Sequence, residues 1–143
     1  MKYLKNPKIR VWVIILASIL ILYIAESVVI GVQINKILNS SYDNLGENNP
    51  YPEMVSDEIY RNMCYRRVHL SVVKEGQEYT ESNVRFPVFA LHWITGGKAF
   101  YNYSHTVSTI SGEGISGSLR ITCTVTFKMD GLTPVITDFY EPP

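Results

Sequence analysis

The sequence predicts an α+β protein. It has an N-terminal transmembrane helix, then one small domain in which a helix packs on an antiparallel meander of four or five strands. Three observations carry this expectation. Residues 11–34 read VWVIILASILILYIAESVVIGVQI, an almost unbroken apolar run. Residues 53–65 place Met54, Val55, Ile59 and Met63 at helical spacing. Residues 118–128 alternate apolar and polar side chains, as a strand with one buried face must.

A helix needs roughly 20 apolar residues to cross a bilayer, and it satisfies its own backbone hydrogen bonds there. Residues 11–25 carry no charge, and Glu26 is the only charge before Lys36. Lys2, Lys5, Lys8 and Arg10 precede the run. By the positive-inside rule, residues 1–10 form a cytoplasmic tail, residues 11–34 span the cell membrane once, and the C-terminal part lies outside. A cleaved signal peptide has a shorter apolar region and ends at a small-x-small site. Tyr23-Ile24-Ala25 begins with a bulky residue and Val29-Ile30-Gly31 comes late, so an uncleaved signal-anchor is expected. Glu26 falls about one turn from the outer end of the span. It is either a carboxylate paired within the membrane or one tolerated at headgroup depth, and the second reading is preferred.

The chain has 143 residues and a formal net charge of zero. From Tyr51 onward acidic residues slightly outnumber basic ones, so no basic field points to nucleic acid. Cys64 and Cys123 are the two cysteines. An external location permits a disulfide between them, and Cys123 equally suits an apolar strand face as a free thiol. Two separated cysteines and three scattered histidines do not make a metal set, and no metal or cofactor is expected.

Residues 35–50, rich in Asn, Ser, Asp and Gly, read as a linker with at most one further helical turn, leaving 51–143 as the outer domain. Pro52 opens a helix over 53–65, with Glu53, Asp57 and Glu58 near its positive end. Val68, Leu70 and Val72 then suggest a strand over 67–73. Residues 74–83 form a polar excursion. Residues 84–95 are apolar on both parities and read as a strand buried on both faces, with Pro87 at an edge or bulge. Thr95-Gly96-Gly97-Lys98 is the next turn, and 99–110 the next strand, with Tyr101, Tyr103 and Val107 on one face. A glycine-rich loop over 111–117 leads into the alternating strand. Asp130-Gly131 then turns the chain into a final strand from Pro134 to Tyr140. A three-residue loop, Met129-Asp130-Gly131, places Val125 opposite Val135 and Ile121 opposite Phe139. It keeps Asp138 off the apolar face, which a two-residue turn at Asp130-Gly131 does not, so the odd loop is expected.

A helix followed by an antiparallel meander resembles the cystatin-like or NTF2-like shape. The ending FKMDGLTPVITDFYEPP resembles the last hairpin of small membrane-anchored envelope proteins of Gram-positive bacteria, with Pro134 or Val135 where those carry tryptophan. A basic tail, one membrane helix and an external domain are also the plan of VirB8-type components of conjugation and secretion machines. These resemblances imply a fold and an envelope setting rather than a chemistry.

His105 and Asp138 are the candidate base and orienter of an NTF2-like pocket enzyme, with His92 as a second candidate. Catalysis would need a formed pocket holding one of these histidines beside a carboxylate. Thr95-Gly96-Gly97-Lys98 lacks the spacing and following helix of a phosphate loop. Tyr60, Tyr65, Tyr79, Tyr101, Tyr103 and Tyr140 suit either sheet propensity or a partner-binding surface. The expected function is therefore non-catalytic: an external binding or assembly module, held in the bilayer by residues 11–34 and meeting a protein partner in the envelope. A broad exposed apolar patch would mark such a surface.

Overall fold

A computed structural model describes residues 7–143. Lys2 and Lys5 of the basic tail lie outside the described residues. The first element, α1, runs unbroken from Pro7–Asp43. At 1.5 Å per residue its 37 residues extend about 55 Å. Its most apolar stretch has a mean hydropathy of 2.7, long and apolar enough to cross a membrane, and only 11% of that stretch is buried in the protein. A core helix of a soluble fold would be mostly covered, so this half of α1 is not one.

The second half of α1 behaves differently. Ser27, Ile30, Gly31, Ile34, Ile37, Leu38 and Ser41 are buried, a stripe at helical period facing the C-terminal domain. The expected linker over 35–50 is therefore corrected: helix continues to Asp43 and supplies the main core helix. Asn39, Ser40 and Asp43 are weak helix formers, but burying Ile34, Ile37 and Leu38 outweighs their propensities. Leu45 and Gly46 then take positive φ and end the helix, with the Gly46 amide donating to the Ser41 carbonyl at 2.8 Å.

Two short helices follow, α2 at Asp57–Asn62 and α3 at Tyr65–Leu70. Ser56 caps α2, its hydroxyl accepting from the Ile59 amide at 3.3 Å. The single helix expected over 53–65 is thus shorter, and the strand expected over 67–73 is helix and turn instead. The alternation there is misleading: Val68 and Val72 are exposed, while Tyr65 and His69, four apart on one helix face, are buried.

Five strands make one open antiparallel sheet: β1 (Tyr79–Arg85), β2 (Phe89–Trp93), β3 (Gly96–Thr109), β4 (Gly114–Asp130) and β5 (Thr133–Tyr140). Its order is β1-β3-β4-β5, and β2 pairs with the other end of β3. β1 and β2 are thus two segments of one sheet edge, broken around Pro87, which cannot donate to a ladder. The strand expected over 84–95 is corrected on two counts. It is split, and β2 is buried on one face only, through Ala90 and His92. The turn after it is Ile94-Thr95, because Trp93 pairs with Gly96 and both glycines belong to β3.

The inner face of β3 carries Tyr101, Tyr103, His105 and Val107, and that of β4 carries Cys123, Val125 and Phe127. The alternation of β4 fails at its start. Arg120 takes φ 56°, the pairing with β3 slips between Tyr103 and His105, and Leu119 is left exposed. The last hairpin also departs from expectation. Its loop is Gly131-Leu132, with Asp130 opposite Thr133 and Phe127 opposite Ile136. Gly131 takes φ 60°, as a first central position of a tight hairpin turn favours. A bulge between Thr126 and Phe127 then shifts the register, so that Val125 faces Phe139 and Thr126 faces Asp138. Asp138 stays on the exposed side, as anticipated, through a bulge within the strand rather than through an odd loop.

The core is closed between this inner face and three helices. Ile30, Ile34, Ile37 and Leu38 come from α1, Tyr60 and Tyr65 from α2 and α3, with Val55 and Met63 from the flanking turns. The sheet therefore packs chiefly on α1 rather than on the segment 53–65 alone. Cys64 and Cys123 are buried free thiols. Burial raises both, Cys123 to about 12, which leaves them unreactive at neutral pH.

Candidate functional site

His105 and Asp138 are not brought together. His105 is fully buried on β3, while Asp138 is exposed on β5, with β4 between them. The carboxylate that His105 meets is Glu81. Pairing of β1 with β3 sets Glu81 beside Val107 and Asn83 beside His105. His105 Nε2 lies 3.2 Å from Glu81 Oε2, and Arg66 on α3 grips the same carboxylate with Nε at 2.8 Å and Nη2 at 2.9 Å. The Arg66 guanidinium also sits 5.1 Å over the Tyr42 ring, near the end of α1. His69 lies 5.0 Å from His105, ring to ring, and its Nδ1 is 2.8 Å from the Ser116 hydroxyl. Tyr65 stacks on Tyr103 at 3.8 Å and donates to Asn83.

The charges of this cluster are decided by burial and by Arg66. The Arg66 hydrogen bonds hold Glu81 below the usual carboxylate range. Burial holds His69 and His105 below the usual imidazole range, so both are neutral at pH 7. A carboxylate has no proton to give, so the His105 Nε2–H donates to Glu81, and Nδ1 is left buried without a partner. The Nδ1 lone pair that could act as a base is closed off from solvent, because His105 is fully buried. The cluster instead fastens α1 and α3 to the sheet.

It also makes stability depend on pH. Unfolding returns His69 and His105 to about 6.5, so below that value the unfolded chain binds more protons and stability falls as pH falls. Glu81 acts in a lower window: its contribution is present above 4.5 and is lost as pH drops through its depressed folded value. Denaturant titrations of the detergent-solubilised protein at pH 7.5, 6 and 5 will show a falling midpoint, and His105→Gln will flatten the upper part of that fall. A midpoint unchanged down to pH 5 would contradict this account.

A second polar group lies where α1 enters the domain. The Tyr23 ring stacks on His92 at 4.7 Å, and the His92 amide donates to the Tyr23 hydroxyl at 3.3 Å. His92 Nε2 lies 3.9 Å from Glu26 Oε2, outside hydrogen-bond reach, and has no other partner although it is buried. Glu26 is thus directed at the C-terminal domain of its own chain. Glu26 and His92 line an apolar cleft of about 350 Å³ whose other walls include Val29, Trp93 and Leu132. Ile94, Trp93 and Leu132 project from the neighbouring hairpin tips and are 97%, 82% and 74% exposed.

The third feature is the β1–β2 edge. Val84, Phe86, Phe89 and Leu91 are all exposed, and Phe89 stands opposite Phe100 on the outer face. This accounts for the doubly apolar reading of 84–95: the outward face is carried by Val84 and Phe86 before Pro87 and by Phe89 and Leu91 after it, so the exposed parity switches at the break and only Ala90 and His92 are buried. The tyrosines contribute little to that surface, since Tyr60, Tyr65, Tyr101 and Tyr103 are buried and only Tyr79 and Tyr140 of the six are exposed. Thr95-Gly96-Gly97-Lys98 is turn and strand, not a phosphate loop. Among the described residues no group of His, Cys, Asp and Glu is arranged to hold a metal ion. Arg66 and Glu81 were not legible as a pair, because Glu81 stands in a polar stretch without apolar periodicity. No protein-family model matches the chain, and no curated protein or solved structure matches it.

Proposed function

We propose that the protein is a single-pass membrane protein whose external domain is a non-catalytic binding or assembly module. The exposed β1–β2 edge carries this reading. Val84, Phe86, Phe89 and Leu91 put an exposed apolar row along a sheet edge, and on the outer side of its β1 segment no further strand pairs. Such an edge receives a partner by strand addition, with side chains in alternate positions giving selectivity. The charged residues Lys8 and Arg10, before the apolar run, favour a cytoplasmic N-terminus. A long helix covered by one antiparallel sheet is also consistent with a cystatin-like or NTF2-like plan. The anchor-plus-domain layout would suit a VirB8-like assembly component.

The test is recovery of the complex from detergent-solubilised membranes. The unaltered protein is expected to bring down a stoichiometric envelope protein, and the double variant Val84→Lys, Phe86→Lys to lose it while keeping its own thermal midpoint. Both residues are more than half exposed, so the substitutions cost the fold little, about 0.5 kcal/mol each. Equal recovery from the variant would remove the edge as the binding surface. A reporter after Pro143 that reads as cytoplasmic would overturn the orientation.

A further inference from the structure

We propose that the tips of the β2–β3 and β4–β5 hairpins are seated in the outer leaflet of the bilayer, so that the domain rests on the membrane as well as hanging from it. This rests on the reading that α1 spans the membrane. Because α1 is unbroken, it serves as a depth gauge for everything packed on it. Gly31 touches the Val88 carbonyl so closely that a Cβ there would lie 2.8 Å from the oxygen. Tyr23, eight residues earlier, stacks on His92. The helix climbs about 12 Å between these levels, and the strand covers about 13 Å between its own two residues. β2 therefore runs alongside α1 in the opposite direction, and Trp93 and Ile94 lie at or below the level of Tyr23.

The hydrocarbon layer takes up about 20 helical residues. Counted from Val11, just after Arg10, its outer boundary falls near residue 31; counted from Pro7, near residue 27. Either way Tyr23 lies on the lipid side of the boundary, and the hairpin tips are drawn down with it.

The tips have the composition this position demands. Trp93 and Ile94 on one, and Leu132 on the other, are among the most exposed apolar side chains of the domain. Tryptophan is favoured at the junction of acyl chains and headgroups. The Thr95 carbonyl accepts from the Met129 amide at 3.1 Å, so the two tips are bonded into one lip and satisfy part of their own backbone. Lys98 and Lys128, both exposed, stand on the strands behind the tips, where long cationic side chains reach phosphates. Asp130 is exposed at the base of the second tip and limits the depth, because its carboxylate must stay among the headgroups. Glu26, the single charge in the apolar run, points toward His92 in the cleft beneath the lip rather than standing alone in acyl chains.

The chain has two tryptophans, Trp12 and Trp93, which makes a direct test possible. The full-length Trp12→Phe variant, reconstituted into phosphatidylcholine–phosphatidylglycerol vesicles, reports Trp93 alone. Its emission is expected to be blue-shifted, to lose most of its intensity with acyl-brominated lipid, and to lose little with aqueous acrylamide. Strong acrylamide quenching with no effect of brominated lipid would overturn the proposal. The Trp93→Phe variant, reporting Trp12, separates the two levels. If Trp12 is quenched by brominated lipid and Trp93 is not, the span stands and the lip is wrong. If neither is quenched, both readings fail together.

Discussion

A chain that begins at Asn35 will not fold. Residue 35 is where composition places the end of the anchor, and it is the natural place to cut a soluble domain. Such a cut removes Ile30, Gly31 and Ile34, and leaves Ile37 and Leu38 on a fraying stub. Ile30 and Ile34 are 2% and 0% exposed and belong to the same cluster as Tyr101, Val125 and Phe127. Each large aliphatic side chain lost from a core costs about 2–5 kcal/mol, against a total stability of about 5–15 kcal/mol for a domain. Two such losses, with the helix turns that carry them, exceed what a small domain tolerates. The expected product lacks a cooperative thermal transition and disperses poorly in amide spectra. A chain beginning at Ser27 retains the buried stripe and should keep a cooperative transition. In the full-length protein Ile34→Ala is expected to cost about 2–5 kcal/mol, and Val32→Ala, at an exposed position, under about 0.5 kcal/mol. A well-folded product starting at Asn35 would show that α1 is only a tether.

Val125→Asp will unfold the C-terminal domain, while the neighbouring Thr124→Asp will be mild. Val125 is fully buried, with Ala99 on one side and Phe139 on the other. A carboxylate there has no cation or donor among those neighbours, and an unpaired buried charge costs several kcal/mol before any loss of packing. Together with the deleted valine contacts this approaches the whole stability of the domain. Thr124 faces the other way, half-buried between Phe100 and Tyr140, where a carboxylate keeps contact with water. Its substitution is expected to cost about 1 kcal/mol, through lost sheet propensity and partial desolvation. Denaturant midpoints in detergent measure both. A stable Val125→Asp beside an unfolded Thr124→Asp would reverse the assigned faces.

These two predictions draw on the chain differently. The faces of β4 were written in residues 121–127, because period-two alternation is a local property and any sheet must bury that side. The apolar length of α1 was equally local, and so was the need for Gly131 at a turn. Asp138 had to leave the inner face for the same reason that Val125 had to occupy it.

How Asp138 leaves was a tertiary decision. An odd loop and a strand bulge both move it outward, and pairing parity does not choose between them. Ile136 is buried against the helical side and its amide donates to the Met54 carbonyl at 2.6 Å. That contact holds Ile136 inward opposite Phe127, so the extra residue falls at Thr137 rather than in the loop. The reach of α1 was decided in the same way. Residues 39–43 have linker propensities, and only tertiary packing against the sheet of residues 79–140 and the short helices before it gives Ile34, Ile37 and Leu38 an apolar surface to cover. His105 shows the principle at a single side chain. Its strand was legible, but its partner depended on which edge β1 would take, and that edge brought Glu81 beside it and left Asp138 beyond β4. Local pattern chooses a residue's face, because side-chain alternation needs no distant information. Its neighbour is chosen by long-range pairing, because that is settled only when the whole apolar surface is covered at once.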